Sequence, residues 1–260
     1  MGKSVYRKFR WSRVVGLVGL LVSLTSCVSA ATGLPEINTG PRELDFGGLK
    51  WRIKSSTAPV APGPNYYSSS PEAVWVDDRG MHLTIGKQGE HWYATEIFTR
   101  SRVGYGTYTF TVETDARSYD PAVVAGFFTW DTAPEEFNRE IDIEFAAWGA
   151  EDGTKFQYVV QPYTSPERIV VFDPKLQGNT TTHRIVWRPD ILEFSSFHGR
   201  VDPDSPEARN NLMNRWTFAG TPPSEGRVRF RINLWLFQGK EPERPVGMTV
   251  NAFSYERWRP

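Results

Sequence analysis

From about residue 73 to the C-terminus, apolar and polar residues alternate in short runs separated by turn-forming residues. Successive side chains of an extended chain point to opposite faces, so this period-2 pattern predicts strands with one face on a core and the other outward. Asp77-Asp78-Arg79-Gly80 reads as a turn, and strands are expected over 81–85, 92–99, 107–114, 123–130, 140–146, 156–162, 168–172, 183–187, 191–197, 228–236 and 249–255. Helical periodicity is almost absent; 207–216 is expected as one short helix in a long loop. So many short strands, with no repeat and no second domain, predict an all-β sandwich or barrel.

The alternation also assigns faces. In 228–236, Val228, Phe230, Ile232, Leu234 and Leu236 form the core side, leaving Arg229, Arg231, Asn233 and Trp235 outward. A tryptophan in an otherwise polar row is anomalous for a solvent face and suits a platform for a sugar ring. Phe128 and Trp130 share a face in 126–130, and Gln157, Val159 and Gln161 share one in 156–162, where the two amides offer donors and acceptors.

The strongest chemical signal is Glu140-Ile141-Asp142-Ile143-Glu144-Phe145. Strand geometry puts the three acids on one face and the three apolar residues on the other. Like charges this close raise one another's pKa and oppose ionisation, a penalty that folding does not require. Hydrolysis of a glycosidic bond does require paired carboxyls, one ionised and one protonated. Positions four apart on a strand are roughly 13 Å apart at the backbone. Glutamates leaning inward over a concave sheet can approach the roughly 5–5.5 Å of a retaining enzyme. Asp142, between them, can hydrogen-bond one and set its charge state. The bland alternative is a solvated acidic strand face.

The Glu-x-Asp-x-Glu segment resembles the active-site strand of glycoside hydrolase family 16, in the uninterrupted form of its lichenase and xyloglucan-enzyme branches. Four other segments resemble that family in the expected order: Val103–Tyr108, Gly126–Trp130, His183–Asp190 and Arg231–Trp235. The resemblance implies a two-sheet antiparallel jelly-roll sandwich with a concave substrate cleft. It also implies a retaining mechanism with Glu140 as nucleophile, Glu144 as acid/base and Asp142 assisting. By the same resemblance Glu96, Phe128, Trp130, Gln157, Gln161, Asn233 and Trp235 are expected to line the cleft. Three positions depart from the pattern: Phe98 stands where an arginine partner of Glu96 is usual, Asn138 where a tryptophan is, and Val159 where a polar or aromatic residue is. The expected activity is endo-hydrolysis of a β-linked polysaccharide, with β-glucans favoured. The alternatives are a transglycosylase using the same residues and a surface lipoprotein that binds carbohydrate without turnover.

Composition narrows this reading. Ten Trp, ten Tyr and sixteen Phe supply more aromatic surface than a core alone calls for. Five basic residues precede an apolar run of eleven, Val14 to Leu24, which is too short for a span of about 20 residues and suits an export signal. Leu24-Thr25-Ser26-Cys27 resembles a bacterial lipobox, which would make Cys27 a lipidation site and the membrane a partner only through that anchor. Ordinary cleavage after Val28-Ser29-Ala30 and an uncleaved anchor are the alternatives. The domain plan is a signal over 1–27, a tether over 28–45 and a catalytic domain over 46–260, exported to the periplasm or cell exterior. Cys27 is the only cysteine, so no internal disulfide can form. Residues 28–260 carry 25 basic against 30 acidic groups, a net of −5 that gives no reason to bind nucleic acid. A monomer is expected. The four histidines are scattered and read as structural, no metal set is spaced for zinc, and no cofactor is required. A structural calcium, which the resemblance allows, has no ligands that can be placed. Residues 55–71, Ser/Pro-rich with Tyr66 and Tyr67, read as a surface loop, with a loop at the cleft mouth as the alternative.

Overall fold

The computed structural model describes residues 42–260. The export signal, Cys27 and all but the end of the expected tether lie outside the described residues. The described chain is almost entirely β. In order the strands are β1 (Glu43–Phe46), β2 (Leu49–Ile53), β3 (Tyr66–Tyr67), β4 (Val74–Asp77), β5 (Gly80–Gln88), β6 (His91–Thr99), β7 (Gly106–Glu113) and β8 (Val123–Trp130). They continue as β9 (Ile141–Ala146), β10 (Lys155–Val160), β11 (Ile169–Phe172), β12 (Thr180–Trp187), β13 (Leu192–His198), β14 (Leu212–Thr217), β15 (Arg229–Leu236) and β16 (Val246–Arg257).

The strands form two layers. One runs β11-β10-β9-β8-β15-β6, continued by β2 and β1; the other runs β5-β16-β7-β12-β13-β14. The β5–β6 hairpin joins them, pairing through Gly86↔Tyr93 to Gln88↔His91. Every strand pairing is antiparallel except β3 with β6. This is the jelly-roll sandwich that the resemblance implied. The facing sides interdigitate as aromatic pairs: Phe110 of β7 stacks on Phe127 of β8 at 4.7 Å, and Tyr108 on Phe230 at 5.0 Å. Ile141, Ile143 and Phe145 of β9 are fully buried here, as are Phe230, Ile232 and Leu234 of β15. Each such side chain contributes about 1.5–3 kcal/mol by leaving water. That burial locks the register, because a one-residue slip would turn the carboxylates into the core.

The expected strands recur with ends displaced by a few residues, and three segments differ. Over 207–216 the helix is a single turn, α1 (Ala208–Asn211), and the rest is β14. The edge of β13 supplies hydrogen-bond partners that an isolated helix lacks, and Trp216 stacks on Phe194 at 5.3 Å. Residues 55–71 are more than a surface loop: Tyr67 is completely buried, and β3 pairs with β6. A two-residue strand is too short to show alternation. The sheet begins at Glu43, inside the segment expected as tether, because Glu43 to Phe46 pairs with β2.

Candidate active site

The outer face of the β9 layer carries the three acids. Glu140 lies just ahead of β9 in extended conformation, and its carbonyl accepts the Gln161 amide at 3.1 Å. The approach is set by a tight loop in which Phe137, Asn138 and Arg139 all have positive φ, at 51°, 56° and 49°. For non-glycine residues that conformation is strained and must be held by its surroundings. Here Asp131 holds it: its carboxylate takes Arg139 Nη1 at 2.7 Å, and its carbonyl takes Asn138 Nδ2 at 2.9 Å. Thr129 Oγ1 donates to the Arg139 carbonyl at 2.7 Å and accepts the Ile141 amide at 3.2 Å, closing the corner.

Cross-strand register spreads the site over five strands. Glu144 lies between Gln157 of β10 and Gly126 of β8; Gly126 faces Asn233 of β15, which faces Glu96 of β6. The next row is Val159, Asp142, Phe128, Arg231 and Phe98. Trp130 faces Arg229 in the row beyond. Gly126 makes room: a Cβ there would stand 2.6 Å from Asn233 Oδ1.

Asp142 is buried, and Glu140 and Glu144 are part-buried. Burial pushes Glu140 up to about 8, with the charge of Glu144 adding and the Asp142 hydrogen bond and Arg231 opposing. Asp142 is raised well above the usual carboxylate range by burial, then by Glu140 and Glu144. Burial pushes Glu144 up to about 7 against a hydrogen bond from Gln157. The shift favours the protonated form of Asp142, which hydrogen-bonds Glu140. Its Oδ2 is one of three buried polar atoms on this floor with no protein partner, beside Arg231 Nε and Asn233 Oδ1.

The expected lining residues divide in two. Phe128, Trp130, Asn233 and Trp235 share the acids' side of the layer, with Trp235 edge-on to Trp148 at 6.0 Å. Glu96, Gln157 and Gln161 are committed to protein partners. Glu96 binds Arg231 Nη1 at 2.6 Å and Lys54 Nζ at 3.0 Å. The arginine absent at Phe98 is thus supplied by Arg231, the cross-strand neighbour of Phe98, and its guanidinium lies between the Phe98 and Trp130 rings at 5.1 and 5.8 Å. Gln157 Nε2 donates to Glu144 Oε2 at 2.6 Å, while its Oε1 accepts Trp148 Nε1 at 3.2 Å. Gln161 hydrogen-bonds Asp142 and takes the Tyr163 amide at 3.2 Å on its Oε1. Trp148, Arg231 and Lys54 were missed as site residues. Arg231 carried a signal, lying in the same outward row as Asn233; Trp148, in a turn at φ 53°, carried none.

Two concavities lie away from the three acids. One of about 430 Å³ is lined by Arg184, Arg188, Glu193 and Asp204, and one of about 610 Å³ by Tyr119, Asp120, Glu241 and Arg244. Among the described residues no cluster of His, Cys, Asp and Glu is arranged to hold a metal. No described helix is long and apolar enough to cross a membrane.

No protein-family model and no curated protein matches the chain in sequence. Solved structures do match in fold. A Bacillus licheniformis β-glucanase aligns with a TM-score of 0.58 at 18% identity, over 83% of this chain and 94% of its own. The Bacteroides ovatus mixed linkage glucan PUL GH16, solved with a G4G4G3G product, aligns at 0.57 and 14%, over 85% and 98%. A Mycobacterium tuberculosis protein described as an immunostimulatory antigen and pseudo β-1,3-glucanase aligns at 0.55 and 15%, over 80% and 91%. At such identities the shared property is the fold.

Proposed function

We propose that the protein is a retaining endo-glycosidase of a β-linked polysaccharide, with β-glucans favoured. The observation that carries this is the row of three acids on one strand face, opposite the face on which Ile141, Ile143 and Phe145 enter the core. Glu140 attacks the anomeric carbon while Glu144 protonates the leaving oxygen; Glu144 then deprotonates the incoming water, which releases the sugar from Glu140. Asp142 donates to Glu140 and steadies its charge. The B. ovatus structure, solved with an oligosaccharide product, supports placing a glucan across this layer. Export and lipidation at Cys27 remain part of the proposal.

The roles require the proton on Glu144 and the charge on Glu140 when sugar is bound, whereas burial raises both in the free protein. The pseudo-glucanase among the fold matches supports a second reading, a surface protein that binds glycans without turnover. One experiment separates the two. Wild-type protein is assayed on mixed-linkage β-glucan, laminarin and xyloglucan, with sizing of products and NMR of the first anomer released. Hydrolysis with retained configuration is expected, and Glu140→Gln should lower the rate at least about a thousandfold. Glu140→Ala with azide should yield the α-glycosyl azide. Binding without turnover by the wild type would establish the second reading.

A further inference from the structure

On the side away from Gln157, the rows of the floor end in arginine. Arg229 faces Trp130, Arg231 faces Phe98, and Phe98 faces Arg52 of β2. Arg100 lies two residues beyond Phe98. Arg102 and Arg227 lie just past the strand ends, joined where Arg102 Nη1 donates to the Arg227 carbonyl at 2.6 Å. Six arginines therefore gather at one end of the cleft, in a chain whose residues 28–260 carry net negative charge. Two glutamates answer them. Glu43 takes Arg52 at 3.0 Å and Arg100 at 3.4 Å; Glu96 takes Arg231 and is shared with Lys54. Arg102 and Arg229 donate to backbone carbonyls; the backbone N–H of exposed Arg227 donates to Asp131 Oδ2 at 3.3 Å, while its guanidinium makes no ion pair among the described residues. The group repels itself: Arg229 is held below its ordinary pKa by burial, then by Arg102, Arg52 and Arg231. Sheet packing requires no such concentration of one charge.

We propose that this end of the cleft is a subsite for an anionic sugar, the glycan carrying a carboxylate or a sulfate ester on the unit bound beyond Trp130. The inference deepens the glycosidase reading and rests on it for the ligand being a glycan. A guanidinium fork matches the paired oxygens of either group. The Phe98 and Trp130 rings hold the Arg231 plane at the floor. A neutral glucan would leave Arg102, Arg227 and Arg229 without an anionic partner for their guanidinium groups.

The test is calorimetric binding to the full-length Glu140→Gln protein, which removes turnover from the measurement. The probes are mixed-linkage β-glucan, its carboxymethyl and sulfated derivatives of matched length, and inorganic polyphosphate. At least one anionic derivative should bind about tenfold tighter than the neutral parent, with the gain falling as salt rises. Which derivative gains identifies the group. Arg102→Ala with Arg227→Ala should abolish the gain without changing Tm, and the corresponding Lys pair should restore most of it. Equal binding of all three glucans, or a gain that survives the alanine pair, overturns the subsite. A comparable gain for polyphosphate shows a general polyanion surface and overturns it too. Hydrolysis of neutral glucan with no preference for charge would sink the subsite and leave the glycosidase standing. Tight binding of charged glucan that wild-type protein does not cut would do the reverse.

Discussion

An indole N–H can only donate, so Trp148 decides which way the Gln157 amide turns. Its bond to Oε1 at 3.2 Å leaves Nε2 to donate to Glu144 at 2.6 Å, which favours the carboxylate form. Trp148 is a positioning residue acting through Gln157. The other titratable and charged groups around Glu144 are Glu140 and Asp142 on its own segment, Arg231 on β15 and Glu96 on β6; β8 presents only Gly126. None of these depends on Trp148. Trp148→Phe keeps the ring contacts with Trp235 and Phe237 but frees the amide to rotate. A carbonyl oxygen turned to Glu144 stabilises the protonated acid, so the basic limb of the kcat/KM profile should move up by about one pH unit, with Tm little changed. An unmoved basic limb would show that the indole only packs.

The loop leading into β9 is the element on which the nucleophile depends. Its three consecutive left-handed residues are held by Asp131, which is paired with Arg139 and largely out of water. Removing one partner of such a pair leaves the other charge buried and unanswered, a loss of about 3 kcal/mol. Asp131→Ala should therefore lower stability by that order in chemical denaturation and lower kcat more than it raises KM, since it loosens Glu140 and leaves the rest of the floor in place. An unchanged kcat would disprove the loop's role. Strand faces were legible in the sequence because period 2 is a local property. The core side of β15 and the cleft side with Arg231, Asn233 and Trp235 both follow from it, as does the single face shared by the acids. Partners across strands were not legible. That Arg231 replaces the arginine absent at Phe98 is a fact of register between β6 and β15, 133 positions apart in the chain. The β3 strand and the Trp148 turn were hidden because neither is long enough to carry a period.

At the scale of the whole molecule, two buried features respond to pH with opposite sign. His183 sits among Phe110, Phe145 and Phe156, bonded to Ser196 Oγ at 2.8 Å and Thr181 Oγ1 at 2.7 Å, and burial pushes it down to about 3. The unfolded chain takes up that proton near pH 6.5, so the stability from neutral His183 is complete above about 6.5 and is lost towards pH 3, at roughly 1.4 kcal/mol per unit. Glu140 and Glu144 are raised instead, to about 8 and about 7. The stability associated with their protonated forms is complete below the unfolded value of roughly 4.5 and is lost as pH rises through 7 and 8. Between those limits the acids outnumber the histidine, so the stability maximum should lie near pH 5 (roughly), toward the acid end of the usual range. Glu144→Gln should raise Tm at pH 8, by an amount equivalent to about 2 kcal/mol, and leave it unchanged near pH 4.5. His183→Gln should flatten the fall below pH 6. Scanning calorimetry of the three proteins from pH 4 to 9 checks both. A Glu144→Gln difference that does not grow with pH would mean the cleft acids are already ionised in the folded protein, and the proton the proposed mechanism needs on Glu144 would not be there.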